Sequence, residues 1–444
     1  MKSTFNTALV LAIFSTASLA SAQDAGGDAE ATTPSPPNPD ATVSVPAPVK
    51  APPHAPEPAS GTLVPPPTPE STSSDTESEI TISAPRPEDM QKMSDTSLKD
   101  VQLGSTHGRY SLNFFADTAF TVSSANRAKA HPSFGIGDLD TLLTAELENS
   151  VRLFAEFALE VGDDNHVGID LERLHLRWSK WGFFVEAGRW HTDLGYWNQA
   201  YHHGNWLQPT HFRPRLVRFE DDGGILPVHW VGVQAGYTAK LGGTAELRAS
   251  FAVGNSRGAI VDDVQSGHDE HRPKAVHAKL ELAGAGLRDL HIGVSGVLGR
   301  IAAQPVSIRP ALPNVGIDER IGNVYIAYAG YPFQLITEGY AITHKASTAM
   351  SSKTLGAFAV LAYALGPVTP YIRLERIHHS GDPDAFFVPD PSAPTVDLDL
   401  SEGLLGLRVD TSTWSALKAE YSFTREHDRA IDTHMGLVSW ACGI

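Results

Sequence analysis

Three arginines and three acidic residues stand almost side by side: Arg213, Arg215 and Arg218, then Glu220, Asp221 and Asp222. Planar guanidinium groups bind phosphate or carboxylate oxygens through paired N–H donors. Rings of fixed charge in a narrow aqueous passage select solutes by sign and size. The same residues could also pair with one another and pin the segment that carries them; pinning and selecting are compatible. Five histidines keep them company: His191, His202, His203, His211 and His229. Imidazole is a common metal ligand. However, adjacent His202-His203 with no spaced partner is not a zinc-site spacing, and the nearby carboxylates are needed by the arginines. The expectation is a hydrogen-bonding role for the histidines, with no metal and no cofactor.

All these residues lie in one stretch, Arg189 to Trp230. Most connections in a compact domain run to about 4–6 residues, and a much longer structured loop usually serves function. Tyr196, Trp197, Tyr201 and Trp206, with His202 and His203 between them, supply the mass for such a loop to pack on itself. Asp222-Gly223-Gly224 reads as the turn that returns the chain to its scaffold. The stretch holds no serine and no G-x-S-x-G motif, so it offers no serine nucleophile for an enzyme.

The scaffold is legible in the flanks, where apolar residues recur with period two. Val151, Leu153, Ala155, Phe157 and Leu159 oppose Arg152, Glu156 and Glu160, and Ala245, Leu247, Ala249, Phe251 and Val253 oppose Glu246, Arg248 and Ser250. Val276 to Leu282 alternate with Lys279 and Glu281 in the same way, as do Leu417 to Phe423 with Lys418 and Glu420. About sixteen such strands, from 109–120 to 431–440, are expected by this reading, an even number. Their connections alternate between tight Gly-containing turns and long polar loops. Short periplasmic turns and long external loops give this asymmetry in a transmembrane antiparallel β-barrel; a soluble sandwich has no reason to keep it. The expected fold class is therefore all-β, with the stretch 189–230 as a third external loop that enters and constricts the lumen. Arg152, Arg173, Arg177, Arg248 and Lys279 then face the lumen as a basic wall. A bulge is expected near Glu172-Arg173, where the apolar phase slips by one residue. In Thr354 to Ala364 neither face is polar, so this strand should face a subunit neighbour or a packed loop.

The remaining sequence sets the compartment. Lys2, the apolar run Ala8 to Phe14 and Ala20-Ser21-Ala22 form a secretory signal, residues 1–22. Residues 23–104 are rich in Pro, Ala and Ser and should be a disordered periplasmic tether, with contact to the cell wall or a periplasmic partner as the alternative. The barrel then occupies 105–444. The one cysteine, Cys442, rules out an intrachain disulfide framework. A formal charge of −17 argues against nucleic acid as a partner. Mean hydropathy of −0.16 fits a barrel whose alternation dilutes the apolar signal. Glu79 to Arg86, EITISAPR, is similar to the energy-coupling box of TonB-dependent transporters, but their barrels of about 22 strands with a plug do not fit the length left here.

About sixteen strands, a constricting third loop and an aromatic-bearing last strand resemble the general bacterial porins. Within that architecture, GYWNQAYHHG with RPRLVRFEDDGGILPVHWVG is similar to uncharacterised outer-membrane proteins distantly akin to phosphate- and polyphosphate-selective porins. The resemblance implies an outer-membrane location in a Gram-negative bacterium, contact with lipid, passive diffusion of small hydrophilic solutes with the arginines favouring anions, and a homotrimer. The alternatives are a receptor-type or TonB-linked barrel and an outer-membrane enzyme. Porins usually finish on a terminal Phe or Trp, whereas here Trp440 is followed by Ala441-Cys442-Gly443-Ile444.

Overall fold

The computed structural model describes residues 99–103, 106–125, 131–147, 150–161, 167–201, 204–220, 223–258, 260–261, 274–305, 313–387 and 398–444. The expected signal sequence, the Pro-rich tether up to residue 98 and the EITISAPR stretch lie outside them, as do His202, His203, Asp221 and Asp222.

A short strand, β1 (Lys99–Leu103), precedes sixteen longer ones: β2 (Thr106–Ala125), β3 (His131–Leu147), β4 (Val151–Val161), β5 (Val167–Lys180), β6 (Phe183–His191), β7 (His229–Gly242), β8 (Ala245–Asn255), β9 (Lys274–Ala283), β10 (Leu290–Ile301), β11 (Ile317–Tyr328), β12 (Phe333–Ala346), β13 (Ser351–Tyr363), β14 (Val368–Gly381), β15 (Leu400–Ser412), β16 (Ser415–Glu426) and β17 (Ile431–Gly443). From β2 onward each strand pairs antiparallel with the next, and β17 returns to β2, from Thr433↔Ala125 to Gly443↔Phe115. This closes a sixteen-stranded barrel and removes the long open edge that a membrane cannot tolerate. β1 folds back on the foot of β2, from Leu103↔Thr106 to Lys99↔Tyr110, where β17 does not reach.

Alternation produces the two faces. Along β11, Ile317, Glu319, Ile321, Asn323 and Tyr325 are buried inside while Val324 and Ile326 stand exposed outside. Outward side chains elsewhere include Ile169, Leu298, Leu405 and Val438, all exposed; in water each would forfeit the stabilisation that burial of apolar surface brings. Trp181, Phe183, Tyr237, Tyr331, Tyr363, Trp414 and Trp440 are exposed beside the short turns, in the position of an interfacial aromatic girdle. The long connections fall at the opposite end.

The expected bulge is present in β5: Glu156 faces Arg173 and Phe157 faces Leu171, so Glu172 is the extra residue of the register shift. Consecutive Glu172 and Arg173 are consequently both buried. A second register shift, in β3, sets Gly137 and Asp138 against Asp117 of β2. The apolar inner face of β13 is explained by a packed loop, since Phe358 meets Trp197 and Gly356 meets Leu216. The last strand runs three residues past the expected Trp440, because Ala441 and Cys442 stay in register with both β16 and β2, Gly443 pairs with Phe115 of β2 and donates its N–H to the Trp414 carbonyl, and Ile444 exchanges two backbone hydrogen bonds with Phe114.

Candidate functional site: the inward-folded loop and the opening beside it

Thr192–Val228 leaves β6 and re-enters β7, and it turns into the barrel. Its only regular pieces among the described residues are one helical turn, α1 (Trp197–Ala200), and a 3-10 turn at Arg215–Val217. A buried loop must find partners for its backbone polar groups outside itself, and the inner faces of distant strands provide them. The N–H of Trp197 donates to Glu338 at 2.7 Å, those of Arg215 and Leu216 to Glu375 at 2.9 and 2.7 Å, and that of His211 to Glu420 at 2.5 Å. Cations serve the carbonyls. Lys418 Nζ donates to Asn205, Gln208 and Thr210 at 2.5, 2.9 and 3.0 Å, Arg373 to Phe212 at 2.6 Å and Arg408 to Trp206 at 2.5 Å. Near the loop's start, Asp193 accepts from Gln234 at 2.7 Å and Ser250 at 2.6 Å.

The aromatic residues fill the space between loop and wall. Trp197 is wholly buried, 4.7 Å centroid to centroid from Tyr201 and 5.8 Å, edge on, from Phe358. Tyr196 meets Tyr325 and His291, while Trp206 joins Phe115, Leu207, Ala416 and Ala441 in a separate cluster. The loop is therefore seated on two wall patches, one around β10 to β14 and one at the β16–β17–β2 seam.

The charged residues singled out from the sequence part company. Arg213 donates to the carbonyls of Val217 (2.6 Å) and Tyr201 (3.2 Å) and to Asn198 Oδ1 (2.7 Å), with its guanidinium 4.2 Å over the Phe219 ring. Arg215 turns to the wall and meets Glu402 at 3.0 Å. Glu220 is buried at the loop's base, accepting from the N–H of Val228 (2.7 Å) and from His229 Nδ1 (3.0 Å). Burial alone would raise its pKa, but His229 and then Arg257 hold the carboxyl below the usual glutamate range. Of the wall cations, Arg173 pairs with Glu156, Arg177 with Glu186, Arg248 with Glu246 and Glu281, and Lys279 with Glu281. Arg152 joins Glu146 and, with Arg177, lines a second cavity of about 420 Å³.

Because the loop is held against β7 to β16, space remains on the other side. An opening of about 560 Å³ is bounded by Arg213, Arg218, His211 and Phe219 from the loop and by Asp117, Asp138 and Glu160 from β2, β3 and β4. Two arginines and three acidic residues thus line the same water-accessible gap. Burial, then the charge of Lys418, pushes the His211 pKa down to about 3, so this ring is neutral at physiological pH. Sequence reasoning missed the acidic side of the gap. The Gly137 beside Asp138 was its signal, since an isolated glycine in a strand pattern often marks a bulge.

No protein-family model and no curated protein matches the sequence. Solved structures match in shape. The anion-selective porin from Comamonas acidovorans superposes with a TM-score of 0.52 at 12% identity, over 76% of this chain and 100% of that one. The fold is that of the bacterial outer-membrane porins. OmpT, an outer membrane protein of Vibrio cholerae, gives 0.51 at 10% identity over 78% and 100% of the two chains. The outer membrane channel DcaP of Acinetobacter baumannii gives 0.50 at 9% over 76% and 97%. With identities this low the likeness extends to the porin barrel alone.

Proposed function

We propose that this protein is a porin of a Gram-negative outer membrane, through which small hydrophilic solutes diffuse passively, and that it has no catalytic role. The observation that carries the reading is the opening between Arg213 and Arg218 on one side and Asp117, Asp138 and Glu160 on the other. Charges of opposite sign across a narrow passage orient polar solutes and exclude bulky apolar ones. The arginines favour phosphate and carboxylate groups, while the facing carboxylates moderate that preference, so the proposed selectivity for anions is weak. Residues 1–22 act as the export signal in this proposal and the expected 23–104 segment as a periplasmic tether only up to residue 98, since Lys99–Leu103 pairs with β2, with the short turns on the periplasmic side. Three copies assembling through outward apolar faces is the proposed oligomer; one matching OmpT structure is described as a trimer form.

Planar-bilayer recording of the purified protein tests the proposal. The expected result is ohmic current whose reversal potential in asymmetric salt shifts when phosphate competes. Insertion without current, or current only with an energy-coupling partner, would replace it with a receptor-type barrel.

A further inference from the structure

The neck of the loop gathers a second set of groups, separate from the opening. His191 is the last residue of β6 and His229 the first of β7, and the two are paired directly across the ladder. Glu172, the bulge residue of the adjacent β5, completes the group. All three are buried, and one nitrogen or oxygen from each lies within 4.8 Å of the others. We propose that Glu172, His191 and His229 form a binding site for one divalent transition-metal ion of the zinc class, which clamps the neck of the constricting loop.

The geometry supports coordination in three ways. First, both imidazoles aim Nε2 at the same oxygen: His229 Nε2 is 2.5 Å and His191 Nε2 3.6 Å from Glu172 Oε2. Ligand atoms on a tetrahedral zinc stand roughly 3.4 Å apart, given bonds of about 2.0–2.2 Å, so one contact already fits and the other opens by about 1 Å as the ion replaces a shared proton. Secondly, His229 Nδ1 lies 3.0 Å from Glu220 Oε2. That carboxylate accepts a hydrogen bond from Nδ1–H and leaves the Nε2 lone pair for the metal, the outer-shell arrangement that orients metal-binding histidines. Thirdly, Phe219 packs on both rings at 5.6 Å, and the rings meet each other at 77° with centroids 5.1 Å apart, which fixes their directions.

Charge and access agree. Once the proton shared by His229 and Glu172 has left, two carboxylates and two imidazoles match the charge of a divalent cation, and an N₂O donor set selects zinc, cobalt, nickel or copper over calcium or magnesium. Glu160, Asp170 and Glu172 also present oxygens within 4.8 Å of one another, and Glu160 lines the opening. Carboxylates therefore run from the passage to the buried site, an entry path for a cation.

Co²⁺ titration of the full-length protein in detergent, followed by visible absorption, tests the proposal. One equivalent should bind saturably with ligand-field bands. His191→Ala should weaken binding at least tenfold, His191→Cys should restore it with a new thiolate charge-transfer band, and Glu160→Gln should slow loading without changing the endpoint. Heat-modifiable gel migration reports whether each variant folds. Absence of saturable Co²⁺ binding, or unchanged affinity in folded His191→Ala, would show that the cluster is only a hydrogen-bonded relay and overturn the proposal. Where His191→Ala does not fold, X-ray absorption of the zinc-loaded parent decides: two imidazoles and one carboxylate are expected, and a shell without both imidazoles sinks the idea.

Discussion

Leu216 of the loop fills the space that Gly356 of β13 leaves empty: a Cβ added at Gly356 would stand 2.7 Å from Leu216 Cδ1 and 3.0 Å from its Cγ. Knob and hole are 140 positions apart in sequence. Gly356→Val should force the loop off its seat, with overpacking that costs about 1–3 kcal/mol. Leu216→Ala should leave the loop in place but hollow its contact, costing about 2–5 kcal/mol for a side chain wholly buried. Thermal unfolding in detergent reads both. Single-channel conductance separates them, rising clearly for Gly356→Val; equal conductance in the two variants would count against this seating.

Lys418 is the most heavily used anchor, buried and donating to three loop carbonyls. Lys418→Met keeps much of the side-chain volume and removes every donor. Unmet buried acceptors cost about 1–3 kcal/mol each, so a loss of roughly 3 kcal/mol is expected after partial relaxation. The gel-shift temperature of the folded barrel measures it; an unchanged temperature would mean that water replaces the ammonium.

Selectivity separates the residues that line the opening from those that hold the loop. Asp117→Asn with Glu160→Gln should move the reversal potential toward anions, and Arg218→Gln should move it toward cations. Arg215→Gln should leave it nearly unchanged, because that side chain is turned to Glu402. The shifts should be largest in dilute salt and shrink toward 1 M, where the screening length is about 3 Å. A reversal potential equally sensitive to Arg215 would place the passage elsewhere.

Acid should loosen the loop through His211. Its folded pKa is depressed to about 3 from the ordinary value of 6.5 by burial and then by Lys418. The unfolded chain therefore takes up a proton first as pH falls. The stabilisation is whole above pH 6.5 and declines progressively between 6.5 and about 3. His211→Gln should flatten the melting temperature between pH 7 and pH 5 relative to the parent. An identical slope in both proteins would assign the acid sensitivity to other groups.

The barrel was readable because period two survives in nearly every strand and a closed sheet needs nothing more than that period and its turns. Even the bulge at Glu172 was visible, as a slip in the apolar phase. The grip on the loop was not. Alternation shows that Glu338, Glu375, Glu420, Lys418, Arg373 and Arg408 face inward, but not what lies opposite them once the sheet curls shut. Neighbours in sequence also misled: Arg213, Arg215 and Arg218 read as one block, yet a 3-10 turn at Arg215–Val217 sends Arg215 toward the wall. The end of β17 escaped because Gly443 looks like a terminator, while pairing with Phe115 of β2 and a backbone bond to Trp414 keep it in the sheet.

The strand side chains that hydrogen-bond the loop's backbone, from Glu338 to Glu420, lie downstream of it, which makes the constriction a record of the order of folding. Glu338 follows Trp197 by 141 residues and Lys418 follows Asn205 by 213. The bonds from Arg213 to Val217, Tyr201 and Asn198, in contrast, span only 4 to 15 residues. Contacts of short span form early and those of long span late, because the chain-closure entropy must be met first. The loop can thus acquire its inner shape while half the wall is still missing, and only the last strands nail it down. In time-resolved refolding, fluorescence from Trp197 and Trp206 should reach its final value together with sealing of the β17–β2 seam, so side chains buried inside the barrel act as the clock for a membrane event.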